Sequence, residues 1–256
     1  MFRSKNHTLI VGAKRTPILR IQKKWHNVSA IDLGARVICA LLYREPTKTL
    51  KPDQVIMGTL AKPREYLNPA KEACARADFG DLNAFTVNKV CSSGLLSVML
   101  GNSLIKSSEA DCIIAGGMEN LLNLPENTLM SLLQDPRTNE MTWHAGNWCA
   151  TTYGISRKDQ DDWAVESYRR AREAYRRNCF ADELVAFRGQ ESDEEPFWKV
   201  DEAMIRNAEL IPGCTTITKL NASKNAGGAA AVMLTNQATA KKYALRPLAQ
   251  ILSSAS

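Results

Sequence analysis

Histidine is scarce: His7, His26 and His144 are the only three in 256 residues, so a Cys–His or Ser–His mechanism drawn from within the chain has few candidates for its base. The seven cysteines, at positions 39, 74, 91, 112, 149, 179 and 214, form no C-x-x-C pair and are odd in number. Reduced thiols in a reducing compartment are the simplest account, and no metal is expected. Long apolar runs are also missing. The longest, Leu9 to Ala13 and Ala229 to Leu234, fall far short of a bilayer crossing, so no membrane span is expected. The formal charge of +6 is spread along the chain without interleaved aromatic and basic residues, which argues against a nucleic-acid partner. The start, Met1 to Asn6, is basic but too short for a convincing signal or transit peptide. Internal repeats and low-complexity stretches are absent.

What is there is ordinary for a globular protein: 45% hydrophobic residues, 23% charged, and length enough for one large domain or two modest ones. Thr8 to Ala13 reads as a buried strand ended at Lys14-Arg15-Thr16-Pro17. A helix follows over Ala30 to Tyr43, stopped by Pro46, then a short strand over Gln54 to Leu60. Asn68-Pro69-Ala70 opens a helix to about Ala77, with proline at its favoured first position. Asp111 to Asn120 is a further strand with the double glycine Gly116-Gly117, which lets the backbone turn sharply or approach a ligand. Strands alternating with helices predict an α/β fold with a mixed, mainly parallel sheet covered by helices.

The rhythm breaks after residue 120. Residues 121 to about 146 read as irregular, and Ser156 stands at the N-cap of a helix running to about Asn178. That helix carries Arg169, Arg170, Arg172, Arg176 and Arg177. A solvated face is the favoured reading, with a surface for an anionic cofactor or partner as the alternative. Glu191 to Glu195 is expected in an exposed loop. The last section holds a strand over Ala229 to Leu234, a short helix over Ala238 to Tyr243 and a strand over Leu248 to Leu252.

One junction carries the chemistry. The extended Ala84-Phe85-Thr86-Val87 runs through Asn88-Lys89-Val90-Cys91-Ser92-Ser93-Gly94 into a long apolar helix. A cysteine is more often a buried structural thiol than a nucleophile. At a strand-to-helix turn, however, unpaired N–H groups and the positive end of the helix dipole favour a thiolate and could hold a developing oxyanion. Ser92, Ser93 and Gly94 keep the approach open. The helix is apolar nearly all round, which predicts burial between the sheet and a second protein layer.

Val87-Asn88-Lys89-Val90-Cys91-Ser92-Ser93-Gly94-Leu95 resembles the nucleophile signature of the thiolase family, acyltransferases that make or cleave 3-ketoacyl-CoA through a cysteine. Ala115-Gly116-Gly117-Met118-Glu119-Asn120, Ile155 to Asp161, Asn221-Ala222-Ser223 and Gly228 to Ala231 resemble further family motifs, in family order along the whole chain. The resemblance implies that Cys91 takes the acyl group from CoA as a thioester. It also implies that Ser223 contacts CoA, that His144 lies beside the pantetheine, and that Arg206 lies near the adenine end. Coenzyme A or acetyl-CoA is the implied substrate. The implied layout is a core of residues 1–120 and 215–256 with a shortened loop-domain insertion over 121–214.

There are departures. The family's second half supplies Asn-Glu-Ala-Phe, Gly-His-Pro and Cys-Gly-Gly-Gly motifs, and none occurs here; the sequence stops near where that half would begin. His144 is followed by alanine where the family has methionine, and Ala226-Gly227-Gly228 stands for Asn-Asp-Gly. Claisen condensation needs a base for the α-proton and donors for the enolate. The expectation is therefore an acetyl-CoA C-acetyltransferase-type polypeptide that can be acylated at Cys91 but is not active alone, working as a homodimer or within a larger complex. The alternatives are a pseudoenzyme kept as a structural subunit, and a shortened gene product. A cytoplasmic location is expected, with mitochondrial or peroxisomal as alternatives.

Overall fold

The computed structural model describes residues 7–20, 25, 27–43, 47–61, 66–194 and 199–255. Pro46, His26, Glu195 and the basic start therefore lie outside the described residues.

Strand β1 spans Thr8–Arg15 and helix α1 spans Ala30–Leu42. Ser29 and Asp32 begin α1 with a reciprocal capping box, each side chain taking the other's backbone N–H. Strand β2 (Gln54–Gly58) leads to α2 (Pro69–Arg76), where the Asn68 side chain accepts the Lys71 N–H. Strand β3 (Ala84–Val87) feeds α3 (Ser93–Lys106), and β4 spans Cys112–Asn120. After an excursion, β5 (Gly227–Asn236), α8 (Gln237–Lys242) and β6 (Ala249–Ile251) complete the sheet.

The sheet order is β3-β2-β4-β5-β1-β6. It is mixed, as expected. Four strands run one way and two, β5 and β6, run the other. By pairing, however, among the described strands only β2–β3 and β2–β4 are parallel, while β4–β5, β5–β1 and β1–β6 are antiparallel. The late strands return beside the first by antiparallel ladders, and alternation along single strands hid this because both sheet faces are buried.

Side chains alternate strictly across the sheet, as the pleat requires. Val55, Met57, Cys112, Ile114, Ala231 and Met233 face the main core with α1 and α2. Ile56, Ile113, Ala115 and Leu234 face the other side, against α3. The result is a helix–sheet–helix sandwich.

Helix α3 departs from its expected burial. It meets the sheet through small residues, with Ser93, Ser97 and Gly101 buried beside Asn102 and Ile105, while Leu95 stands 64% exposed. Composition alone could not tell which face the sheet would take, because the sheet selects the close-packing small side chains over the leucines.

Between β4 and β5, residues 121–146 are more ordered than their sequence suggested. Helices α4 (Glu126–Leu133) and α5 (Thr142–Thr152) occur there, followed by α6 (Arg157–Arg176) and the short α7 (Glu202–Arg206). Gly146 and Asn147, at the end of the stretch read as irregular, both lie inside α5. Ser156 and Asp159 close a reciprocal box at the start of α6, so aspartate serves where Glu or Gln is usual. The excursion has its own small core of Ala164, Val200 and Ile205. It is pinned to β1 by Arg15, which grips Asp193 with both Nη atoms (2.6 and 2.9 Å) and Glu183 with Nε (2.5 Å). Among the described residues no helix is long and apolar enough to cross a membrane.

Candidate active site

The turn between β3 and α3 is held by its own side chains. The Lys89 N–H donates to Ser93 Oγ (2.8 Å), whose hydroxyl donates to the Val90 carbonyl (2.6 Å). The Val90 N–H donates to Asn88 Oδ1 (2.9 Å). Val90 itself sits at φ +52°, a left-handed conformation that is unfavourable for a β-branched residue and is stored strain. That kink delivers Cys91 to the surface, where its thiol is exposed.

Directly behind Cys91, α3 begins without a side-chain cap: Ser92 at the N-cap makes none. The first helical donation is from Leu96 N–H to the Ser92 carbonyl, leaving the Gly94 and Leu95 N–H groups without a protein acceptor among the described residues. Glycine lets this helix end press onto the sheet. A Cβ at Gly58 would fall within 2.7 Å of Gly94 N, so any side chain there would push the turn outward. Ser97 ties the helix down by donating to the Gly116 carbonyl (2.8 Å).

Exposure alone does not distinguish Cys91, since Cys149 and Cys179 are exposed too. The strained turn and the open helix end do. Three of the other thiols are buried. Burial pushes Cys74 up to about 11; burial, with Asp53 and Asp111 nearby, pushes Cys112 up to about 12; and burial raises Cys214.

Ser223 lies elsewhere, on the wall of a cleft of about 390 Å³ between α6 and the loop Leu220–Lys224. Trp163, Ser167 and Tyr168 form the helix wall, and Ile18 forms part of the rim. Cys91, His144 and Arg206 are not among its lining residues. The loop is built by Asn221, whose amide donates to Asp161 Oδ1 (3.0 Å) and the Thr216 carbonyl (3.0 Å) while its oxygen accepts the Thr218 N–H (2.7 Å). Asp161 was not among the candidate site residues read from the sequence. Its signal was the Arg157–Asp161 spacing, an i,i+4 pair joined at 2.6 Å.

His144 stands in the first turn of α5 against Gly213, where a Cβ would come within 2.9 Å of Nε2 and where φ is +81°. One turn on, Asn147 Oδ1 accepts the N–H groups of Thr215 (2.7 Å) and Thr216 (3.3 Å). The His144 helix is thus tied to the segment leading into the Ser223 loop. Arg206 is fully engaged with carboxylates, meeting Asp162 at 2.7 Å and Glu202 at 2.6 Å. On α6, Arg169 and Arg170 pair with Glu166, Arg176 pairs with Glu173, and Arg172 donates to the Val200 carbonyl. These arginines fit the solvated-face reading.

This arrangement offers an exposed thiol at an open helix end and, separately, a cleft with an aromatic wall and a serine on its loop. The model for the thiolase N-terminal domain matches residues 8–238. The acetyl-CoA acetyltransferase of Yarrowia lipolytica (strain CLIB 122 / E 150) is 33% identical over 272 residues, covering 97% of this chain and 68% of that protein. The acetyl-CoA acetyltransferase of Escherichia coli (strain K12) is 33% identical over 277 residues, covering 97% and 70%. In fold, the crystal structure of the Bacillus anthracis acetyl-CoA acetyltransferase superposes with a TM-score of 0.90 at 24% identity, covering 97% of this chain and 70% of that one. The Acat5 thiolase from Ascaris suum in complex with coenzyme A gives 0.88 at 25%, covering 96% and 70%. With the turn, the sheet order and a family match over most of its length, the chain belongs to the thiolase family.

Proposed function

We propose that this chain binds acyl-CoA and accepts its acyl group on Cys91, as the acyl-transfer half of an acetyl-CoA acetyltransferase. The observation that carries the reading is the exposed thiol of Cys91 on the left-handed Val90 turn, at the uncapped N-terminus of α3. In the step, the Cys91 sulfur attacks the thioester carbonyl, the carbon–sulfur bond to CoA breaks, and CoA leaves as a thiol carrying the proton lost by Cys91. The Gly94 and Leu95 N–H groups stand at the helix end that faces developing negative charge. The cleft holding Ser223 is the candidate CoA site, with Trp163 and Tyr168 as its apolar wall. His144 supports that loop from α5. Arg206, committed to two carboxylates, is given the weakest part.

Carbon–carbon bond formation is assigned to groups outside residues 1–256. The base and enolate donors named by the family motifs have no counterpart in this sequence. They would come from further chain or from a second subunit, either another copy or a relative. The second reading, a thiolase-fold structural subunit without catalysis, is favoured by that same missing set. Intact-protein mass spectrometry after incubation with acetyl-CoA separates the two. An acetyl adduct on the wild type and none on Cys91→Ser supports acyl transfer; folded wild type that stays unmodified moves the assignment to the structural subunit.

A further inference from the structure

We propose that Glu119, at the end of β4, is a positioning residue for the Cys91 turn; this rests on the reading of Cys91 as acyl acceptor. The Glu119 carboxylate collects donors from the loop after β2. Its Oε2 accepts the Leu60 N–H (2.8 Å), the Ala61 N–H (3.0 Å) and the Thr59 hydroxyl (3.3 Å), and its Oε1 accepts the Asn120 N–H (3.2 Å). One carboxylate therefore fixes Thr59, Leu60 and Ala61, three consecutive residues just past the end of β2.

That loop is the outer wall of the nucleophile turn. The Thr59 N–H donates to the Val87 carbonyl (3.2 Å), continuing the β2–β3 register into the turn. The Leu60 carbonyl accepts the Asn88 amide (3.4 Å), and the oxygen of that amide holds the Val90 N–H (2.9 Å). The path from Glu119 through Leu60 and Asn88 thus ends on the strained residue immediately before Cys91. Left-handed valine persists only where its surroundings over-determine it. The Ser93 hydroxyl restrains the turn from the helix side, and the Glu119 loop restrains it from the sheet side. The hydrogen bonds of Glu119 go to the Thr59–Ala61 segment and Asn120, and it does not line the Ser223 cleft, so its effect is on the direction of the thiol and not on CoA binding.

The test uses two readouts on the full chain. Iodoacetamide alkylation of Cys91, followed by peptide mass spectrometry, reports the turn without any acyl-CoA. Acetylation by acetyl-CoA reports the proposed chemistry. Glu119→Ala is expected to slow both about tenfold, in line with the rate losses that follow small displacements of a reacting group. The acetyl-CoA concentration for half-maximal acetylation should stay unchanged. Glu119→Gln keeps an acceptor oxygen on the loop and should restore both rates to within about threefold of wild type. Asn88→Ala cuts the same path at an exposed position and should slow alkylation by the same factor, with the Glu119→Ala/Asn88→Ala double variant no slower than either single one.

Wild-type alkylation rates in Glu119→Ala, or effects of the two variants that multiply, would overturn the proposal. Should Glu119→Ala not fold, Asn88→Ala decides it, and a wild-type rate there overturns it. If wild type is never acetylated but the alkylation pattern holds, the acyl-transfer reading fails and the positioning role stands.

Discussion

Asn221, on the cleft wall, donates to Asp161 at 3.0 Å, and Asp161 spends its other oxygen on Arg157 at 2.6 Å. Asp161 is 3% exposed, and Arg157 also reaches the carbonyls of Ile205, Arg206 and Ala208. A single buried carboxylate therefore joins α6, the end of α7 and the loop that carries Ser223. Asp161→Asn leaves the guanidinium without its charge partner and should cost about 3 kcal/mol, the low end for a broken buried pair because Arg157 is partly solvated. Urea unfolding would measure it, and a loss under 1 kcal/mol, on the scale of a surface pair, would refute the buried-pair account.

Asn221→Ala removes the three bonds that shape the loop while leaving Ser223 in place. Acetyl-CoA binding should weaken by about tenfold, on the scale of one or two lost hydrogen bonds. Isothermal titration of the folded variant checks this, and unchanged binding would place the CoA site away from this loop.

Arg15 is the strap between the excursion and the sheet, and its guanidinium also lies 5.1 Å from the Phe180 ring. Arg15→Met should lower stability by about 2 kcal/mol, given charge-assisted bonds that are only partly shielded from water. Amide exchange should quicken first in residues 183–193; uniform quickening across β4 and β5 would show that Arg15 holds up the sheet instead.

Acid should loosen the start of α1. Burial alone would raise the Asp32 carboxyl, but Arg76 and Ser29 outweigh it and hold it below the usual range. A carboxyl depressed in the folded chain contributes stability that is full above its unfolded value, about pH 4, and is lost as pH falls through the lower folded value. Asp32→Asn should therefore cost about 1 kcal/mol at pH 7 and nothing once the wild-type carboxyl is protonated. Chemical denaturation at neutral and acid pH should show the two proteins converging; a constant gap would sink the idea.

Limited alkylation at pH 8 should mark Cys91, Cys149 and Cys179 on the folded chain and spare Cys74 and Cys112, which burial keeps protonated. Peptide mapping reads the pattern. Early labelling of Cys112 would mean that the sheet opens around β4.

The strands, helix α1 and the Cys91 turn were legible because their signals are local: β-rich runs, an apolar periodic stretch from Ala30, and a cysteine between Val87 and Gly94. Helices α4 and α5 were not, since α4 has no buried residue to impose a period and Gly146-Asn147 interrupts α5 with turn-like composition. The antiparallel return of β5 beside β4 and β1 leaves no mark on either strand alone. The support around the site was the least visible part. Asp161, Asn147 and Glu119 act on loops 58 to 69 positions away, where only the folded chain brings donor and acceptor together.

The place of β1 in the sheet also governs the order of events during synthesis. Of the described strands, the earliest in sequence lies between the two latest, with Thr8 opposite Asn236 on one side and Ile251 on the other. While the ribosome is still at work on the middle of the chain, β1 has neither neighbour. Its Leu9 and Ile10 must wait for partners more than two hundred residues away. The β2–β3–β4 block with α3 has its contacts within some sixty residues and can form early. Folding of this sheet should proceed from the Cys91 turn outward, with β1 exposed to holding chaperones until β5 emerges.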